Sequence, residues 1–383
     1  KERKIPTIIV ISEGDNEVVI NFDNELSRTV FYSIIKKKKF FEIKEFLFQE
    51  ASITGNYANE FIASVYKDVL AEKRPSIPIG DFKDKTINQS FSIGDDWLYY
   101  KFYCGDKIAE KVLQEAILPI VKDLKSKQSI DQWFFIRYFD KDGFHLRFRM
   151  KVKNKEQFST IINSVKYHIA PLEKEGIIWK TQIDTYLRET ERYGYHSIEA
   201  TEKFFHADSE CTLQFVNMIE GEKGEEVRWL FSLLSMGALL DNFGYSLKDK
   251  IAIMNLLKTG FGKEFNRKGL LNKQINQLYK QNMANIERFL TADQKQPIYQ
   301  PLWDILAIRS SKMSPIVDEL KSLEKAKKLP IPLALGIIPS YLHMVCNRIF
   351  LSKQRVHEMV VYDFLFKYYS KMLHTQKKKV AKK

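Results

Sequence analysis

The sequence predicts an α+β protein: a split βαβ-type antiparallel or mixed sheet with helices on it, followed by a mainly helical half. Three observations predict it. From Trp97 the patterns run strand, helix, strand, strand, helix, strand, the β-α-β-β-α-β order of a split βαβ unit. Residues 145–152 alternate basic and apolar side chains with the period of two of a strand that has one core face. From about 196 to 373 nearly every long window shows helical periodicity instead.

Taken in order, two β-rich runs at 6–11 and 18–22 flank the turn-forming cluster Ser12-Glu13-Gly14-Asp15-Asn16 and predict a hairpin. Helical patterns follow over about 24–72, with Leu47, Phe61 and Val65 among their apolar positions. A stretch opening on Pro75 and Pro78 and staying polar as far as Gly94 reads as a linker. Next come a strand at 97–103, a helix near 106–125, strands at 133–139 and 144–152, a helix near 155–168 and a strand at about 177–188. Only Asp140-Lys141-Asp142-Gly143 separates the two middle strands, a length that suits a hairpin. The α/β part thus covers about 97–195 and the helical part about 196–373, before a basic tail at 374–383.

At 383 residues the chain exceeds the usual size of one domain, and 44% hydrophobic with 13% aromatic residues describe a globular protein. The net charge of +13 raises nucleic acid or an acidic membrane as partners. The excess, however, sits in lysine runs at 36–39 and at Lys377, Lys378, Lys379, Lys382 and Lys383, without interleaved stacking aromatics. Cys104, Cys211 and Cys346 are odd in number and far apart, which argues against a disulfide framework or zinc cluster and fits a reducing cytosol. The most apolar window, 331–351, holds two prolines, His343, Asn347 and Arg348, which argues against a membrane span. The chain begins with Lys rather than Met, so a fragment lacking its natural N-terminus is expected.

Three constellations could carry chemistry. On the strand at 145–151, His145, Arg147, Arg149 and Lys151 share one face, which is either a basic surface or a binding face. The neighbouring strand, Trp133 to Asp140, is apolar or aromatic on both sides and should be covered on both, and covered guanidinium groups need anionic partners. The second constellation is Tyr186-Leu-Arg188-Glu189-Thr-Glu191-Arg192-Tyr193-Gly194. Period-two reading aims Glu189 along a largely apolar face; a local Glu189–Arg192 ion pair is the plainer reading. In the third, Ser340, His343 and Asn347 form a polar stripe on an otherwise apolar helix, facing something polar or making a histidine hydrogen-bonded by Asn347. No Gly-rich phosphate loop, HExxH, CxxC or GxSxG occurs, so nucleotide-hydrolysing, zinc-hydrolase and serine-hydrolase readings lack support.

The ordered set Trp97-Leu-Tyr-Tyr-Lys-Phe-Tyr103, Trp133-Phe-Phe-Ile-Arg-Tyr138, His145-Leu-Arg-Phe-Arg149, Tyr186 to Gly194, Ala200-Thr-Glu-Lys-Phe-Phe-His-Ala-Asp-Ser209 and His343-Met-Val-Cys-Asn-Arg348 resembles the elimination domain shared by nisin-type lanthipeptide dehydratases and thiopeptide biosynthesis proteins. The resemblance covers about 91–375. It implies a glutamate-elimination domain over 91–383, and residues 1–90 resemble the closing stretch of the preceding glutamylation domain, notably the hairpin holding Asp15 and Asn16.

What the resemblance implies is a β-elimination: a precursor-peptide Ser or Thr esterified by glutamate loses its Cα proton and expels glutamate, leaving dehydroalanine or dehydrobutyrine. Arg147, Arg149, Glu189, Arg192 and His343 carry over as the catalytic set, with Arg137, His145, Arg188, Asn347 and Arg348 as substrate-binding residues. The three arginines would grip carboxylates and the oxyanion, Glu189 would hold the glutamyl ammonium or orient an arginine, and His343 would move the proton. The resemblance further implies no metal and no cofactor for this step, with glutamyl-tRNA used only by the largely missing preceding domain. Its implied partners are the precursor peptide, a second copy in a homodimer, and a cyclase and exporter, in the cytoplasm or peripherally at the inner membrane face. Competing expectations are a thiopeptide-type pyridine synthase, a non-catalytic module capturing peptide by strand addition, and, from charge alone, an RNA binder.

Overall fold

The computed structural model describes residues 5–13, 16–36, 38, 40–46, 87–291 and 297–380. The chain divides into two compact units, Lys1–Arg74 and Pro75–Lys383. Gly14 and Asp15, the expected helices over 47–72 with Leu47, Phe61 and Val65, and the linker up to residue 86 lie outside the described residues.

In the first unit β1 (Ile8–Glu13) and β2 (Asn16–Asn21) form the expected hairpin, with Ile8 opposite Asn21 and Glu13 opposite Asn16. The Asn24 side chain caps α1 (Glu25–Ile35) by accepting from the Ser27 N–H at 3.0 Å. Ile9, Ile11 and Ile20 form its small core with Phe22, Phe31 and Ile34. Helix was expected to continue, yet β3 (Glu42–Glu45) pairs with the free edge of β1. Four successive lysines at 36–39 repel one another across a helical turn, and beyond them Glu42-Ile43-Lys44 alternates as a strand does.

The second unit opens with β4 (Ser90–Phe91) and β5 (Trp97–Tyr103). A helix then runs as α2 (Ala109–Val112), a π turn (Leu113–Ile117) and α3 (Leu118–Ser126). Pro119 has no N–H to return to the preceding turn, and there the helix widens. Strands β6 (Ile130–Asp140) and β7 (Gly143–Val152) form a hairpin, followed by α4 (Phe158–Lys174), β8 (Lys180–Asp184) and β9 (Tyr186–Leu187). Gly143, at φ +115, closes the reversal in a conformation open to few other residues.

The four long strands lie in the order β6-β7-β5-β8, every neighbouring pair antiparallel, which resolves the antiparallel-or-mixed expectation. The single strand expected over 177–188 is two: after Asp184 the chain leaves this sheet and β9 pairs with β4. On one sheet face Leu98, Tyr100, Phe102, Leu146, Phe148 and Met150 are buried against Val112, Ile120, Ile161 and Val165 of α2, α3 and α4.

The helical half comprises α5 (Thr190–Tyr193), α6 (Ile198–Val216), α7 (Gly221–Asn242), α8 (Leu247–Glu264), α9 (Gly269–Leu290), α10 (Gln300–Lys325), α11 (Ile337–Ile349) and α12 (Gln354–Val380). Its core includes Phe205, Leu234, Ile316, Tyr341 and Leu365 and extends onto the second sheet face through Trp97, Tyr99 and Phe134. That face is covered only in part. Phe134 is buried, whereas Tyr138, four residues nearer the hairpin tip, is 44% exposed, so β6 is not sealed on both sides along its whole length as its sequence suggested. Among the described residues no helix is long and apolar enough to cross a membrane.

Candidate functional site

The partly covered face is built in cross-strand layers. Arg149 of β7 lies between Phe134 of β6 and Tyr99 of β5, with Asp184 of β8 beyond; Arg147 lies between Ile136 and Lys101; His145 lies between Tyr138 and Tyr103. The alternation that buries Leu146 and Phe148 on the other side therefore forces both arginines onto this one.

Arg149 is 6% exposed, and its guanidinium carbon sits 4.4 Å from the Tyr99 ring centre, 4.6 Å from Tyr186 and 5.3 Å from Phe134. Among the described residues its buried Nε has no hydrogen-bond partner, and no carboxylate pairs with Arg149. Burial pulls its pKa below the ordinary arginine value, opposed by Tyr186 and Tyr99. Three aromatic faces solvate the cation incompletely, and a buried guanidinium in this state has hydrogen-bonding capacity left for an anion.

Arg147 stacks on Tyr138 at 3.3 Å from the ring centre, and its Nε donates to His145 Nε2 at 3.3 Å. Since arginine can only donate, Nδ1 is the protonated nitrogen of His145, facing the Gly143 carbonyl at 3.2 Å. His145 is fully buried, and burial lowers its pKa, which agrees with a neutral ring.

The Tyr186 to Gly194 segment crosses the end of this face. Arg188 is buried and forked onto Glu202 of α6 at 2.7 Å through both Nε and Nη2, while the Tyr186 hydroxyl donates to the same carboxylate at 2.9 Å. With β9 in the second sheet the inward residues are Tyr186 and Arg188, and Glu189 is exposed rather than aimed along an apolar face. Glu189 lies 3.6 Å from Arg192, both side chains about half exposed, the local ion pair the spacing allowed. Arg192 Nε donates to Ser340 Oγ of α11 at 3.1 Å. Gly194 ends α5 at φ +82, where a Cβ would meet Pro330 and Ser197 at 3.0 Å. Burial pushes the Tyr193 hydroxyl up to about 12, with Arg192, whose guanidinium lies 5.5 Å from the Tyr193 ring centre, Glu189, Arg348 and Arg149 all acting on it electrostatically.

Helix α11 docks on the open edge of β6. The Asn347 side chain accepts from the Arg137 N–H at 3.0 Å and donates to the Arg137 carbonyl at 2.8 Å, replacing a missing strand. Arg348 donates to the Phe135 carbonyl at 3.0 Å and to Asp208 at 2.9 Å; Asp208 also receives Arg309 at 2.9 Å. Asn347 therefore holds strand backbone, not His343. The partner of His343 Nδ1 is Glu358 of α12, at 2.8 Å. Glu358 is fully buried while the His343 side chain is 25% exposed, so the imidazole bridges a buried acid and the open side of the helix.

The structure thus brings Arg147, Arg149, Glu189 and Arg192 into one electrostatic neighbourhood, and ties Arg192 to the helix bearing His343. Arg137 is not among them: it is on the opposite sheet face, where its guanidinium donates to Glu110 at 3.3 Å and the Arg348 carbonyl at 3.1 Å. Arg188 and Arg348 are likewise engaged by internal acids, and Asn347 by backbone, so these four are placed as framework. Tyr99, Tyr138 and Tyr186 adjoin the site without having been singled out; cross-strand alternation from Trp97 would have flagged Tyr99. Glu358 carries no local signal, being joined to His343 only by helix packing.

Positive charge elsewhere is better matched. In the groove between α8 and α9, Arg267 lies 2.8 Å and Lys258 3.6 Å from the buried Asp363. Among the described residues no three His, Cys, Asp or Glu side chains converge to hold a metal ion, and Cys104, Cys211 and Cys346 are free and buried.

Fold and site define an α+β protein whose sheet presents undercompensated guanidinium groups beneath a helical bundle. Residues 97–369 match the family described as lantibiotic biosynthesis dehydratase C-term, and the chain belongs to that family. Over 358 residues it is 26% identical to the epidermin biosynthesis protein EpiB of Staphylococcus epidermidis, covering 90% of this chain and 32% of that protein. The chain spans 32% or less of the length of the curated relatives it matches. The tRNA dependent lantibiotic dehydratase MibB of Microbispora sp. 107891 shares the fold at a TM-score of 0.61 and 15% identity, over 97% of this chain and 37% of that one. The pyridine synthase TbtD of thiomuracin biosynthesis aligns at a TM-score of 0.50 and 11% identity, over 72% of this chain and 99% of that one. At such identities likeness establishes the fold alone, and the fold is common to both proteins.

Proposed function

We propose that this chain eliminates glutamate from glutamylated Ser or Thr of a ribosomal precursor peptide in lantibiotic biosynthesis, acting as a lyase. The observation that carries the reading is Arg149, a buried guanidinium in an aromatic cage with no carboxylate partner among the described residues, beside Arg147 and the half-exposed Arg192. A glutamyl ester brings a free carboxylate and releases a second when its bond to Cβ breaks, and planar guanidinium forks suit both.

In this reading His343 Nε2 takes the Cα proton, the C–H electron pair becomes the Cα=Cβ bond, and the Cβ–O bond breaks with its electrons leaving on glutamate. Arg147, Arg149 and Arg192 stabilise the charge developing on the peptide carbonyl and the leaving carboxylate. Glu189 receives the glutamyl ammonium or trims the position of Arg192. Neutral His145 positions Arg147, while Arg137, Arg188, Asn347 and Arg348 hold the framework rather than touch substrate. The step asks for no metal or cofactor. Glutamyl-tRNA would serve only a preceding glutamylation domain, of which residues 1–90 are the closing stretch. The peptide-facing partners would be a second copy of the chain, a cyclase and an exporter, at or near the cytoplasmic membrane face.

The test is to incubate the chain with a synthetic precursor peptide bearing a glutamyl-Ser ester and follow glutamate loss by mass. Conversion to dehydroalanine that disappears in His343→Phe supports the reading. An unchanged ester overturns it, and consumption of paired dehydroalanines to a six-membered nitrogen ring would assign the pyridine-synthase chemistry instead.

A further inference from the structure

We infer that Glu358 is a positioning residue for His343, holding the proton on Nδ1 so that Nε2 is the basic nitrogen. The inference rests on the elimination reading for its kinetic consequence, but not for its chemistry. The hydrogen bond joins neighbouring helices, His343 on α11 and Glu358 on α12, at 2.8 Å between Nδ1 and Oε1. Glu358 is fully buried and its second oxygen accepts from the Tyr362 hydroxyl at 3.1 Å, with Arg355 Nη1 at 3.7 Å. A carboxylate so enclosed has few alternative orientations, and it offers the imidazole only an acceptor. The ring therefore presents N–H to Glu358, leaving a lone pair on Nε2 of a side chain that is 25% exposed.

A base that must first accept a Cα proton and then carry positive charge gains twice from such an acid: the correct tautomer is populated beforehand, and the imidazolium formed is stabilised where it forms. The groups facing the pair are Glu358, Tyr362 and Arg355 from α12 and the buried Cys346 from α11. Of these, Glu358 supplies the hydrogen bond to the ring.

The experiment uses the full chain, ¹⁵N-labelled at histidine, with the His343 signals assigned by their loss in His343→Gln. In the wild type the neutral ring is expected as the Nδ1–H tautomer. In Glu358→Gln, whose amide can donate to Nδ1, the Nε2–H tautomer is expected to grow. Turnover of the glutamyl peptide should fall about 100-fold with KM changed less than about threefold. Tyr362→Phe, which loosens Glu358 without touching His343, should give a smaller drop of the same kind if Glu358→Gln does not fold. A wild-type Nε2–H tautomer, or a folded Glu358→Gln with turnover within about threefold of wild type, overturns the inference. If the wild type fails to convert the ester, the elimination reading fails and the tautomer measurement alone decides the role of Glu358.

Discussion

Replacing Arg149 by methionine should make the protein more stable and far less active. Arg149 is 6% exposed, its Nε has no partner among the described residues, and three rings between 4.4 and 5.3 Å away are its principal company. Each ring contact contributes roughly 0.5–2 kcal/mol, whereas burying the ion costs several kcal/mol and the orphaned N–H a further ~1–3 kcal/mol. Methionine keeps an unbranched chain and a polarizable atom against the same rings while removing the charge. A gain of about 1–3 kcal/mol follows, or roughly 2–6 °C in the unfolding midpoint for a unit of this size. Elimination, by contrast, loses a charge-assisted contact to developing negative charge and should slow by about 10²–10³.

The assay pairs thermal unfolding by circular dichroism with glutamate release from the glutamyl peptide. Arg149→Lys completes it: the charge remains but the flat fork is lost, so activity should stay low and the more strongly hydrated ammonium should lower stability. A midpoint that falls in Arg149→Met, with activity declining only as far as the folded fraction does, would refute the argument. The guanidinium would then be a structural group with an internal anion.

Arg348→Met is the opposite case, because it leaves Asp208 with one arginine and the Phe135 carbonyl unbonded; urea unfolding should show a loss of about 3–5 kcal/mol. Gly194→Ala meets both the positive φ and the 3.0 Å contacts with Pro330 and Ser197; a loss of about 1–3 kcal/mol is expected, and a neutral result would mean that the turn can relax. Acid should weaken the fold as pH falls below about 6.5. Burial lowers the folded-state pKa of His145, His206 and His357, so the unfolded chain binds more protons there. Their contribution is complete above the unfolded value of about 6.5 and is lost as pH falls through the folded values. The urea midpoint should decline across that range, and a flat profile would contradict it.

How much of this was legible beforehand follows the range of each signal. Strand alternation acts between adjacent residues, and it correctly put Arg147 and Arg149 on one face and Leu146 and Phe148 on the other. It failed beyond Asp184, because the chain changes sheets at Thr185 and the phase carried from Trp179 no longer applies to Glu189. It could not show that the face is covered near Phe134 and open near Tyr138, since coverage depends on where helices arrive from far along the chain.

The arginines show the same limit more sharply. Arg137, Arg149, Arg188 and Arg348 are all buried arginines in sequence motifs, and composition offers no way to rank them. What separates them is whether an acid from another element reaches each one: Glu110 for Arg137, Glu202 for Arg188, Asp208 for Arg348, and no such group among the described residues for Arg149. Glu202 and Asp208 both come from α6, and Ser209 of the same helix bonds the Phe135 N–H at 3.2 Å. The Ala200 to Ser209 segment is therefore better understood as the element that neutralises framework arginines and seals the β6 edge. By supplying acids to Arg188 and Arg348 but not to Arg149, it leaves Arg149 without a carboxylate partner among the described residues, a property of the pairing pattern that no single residue's identity encodes.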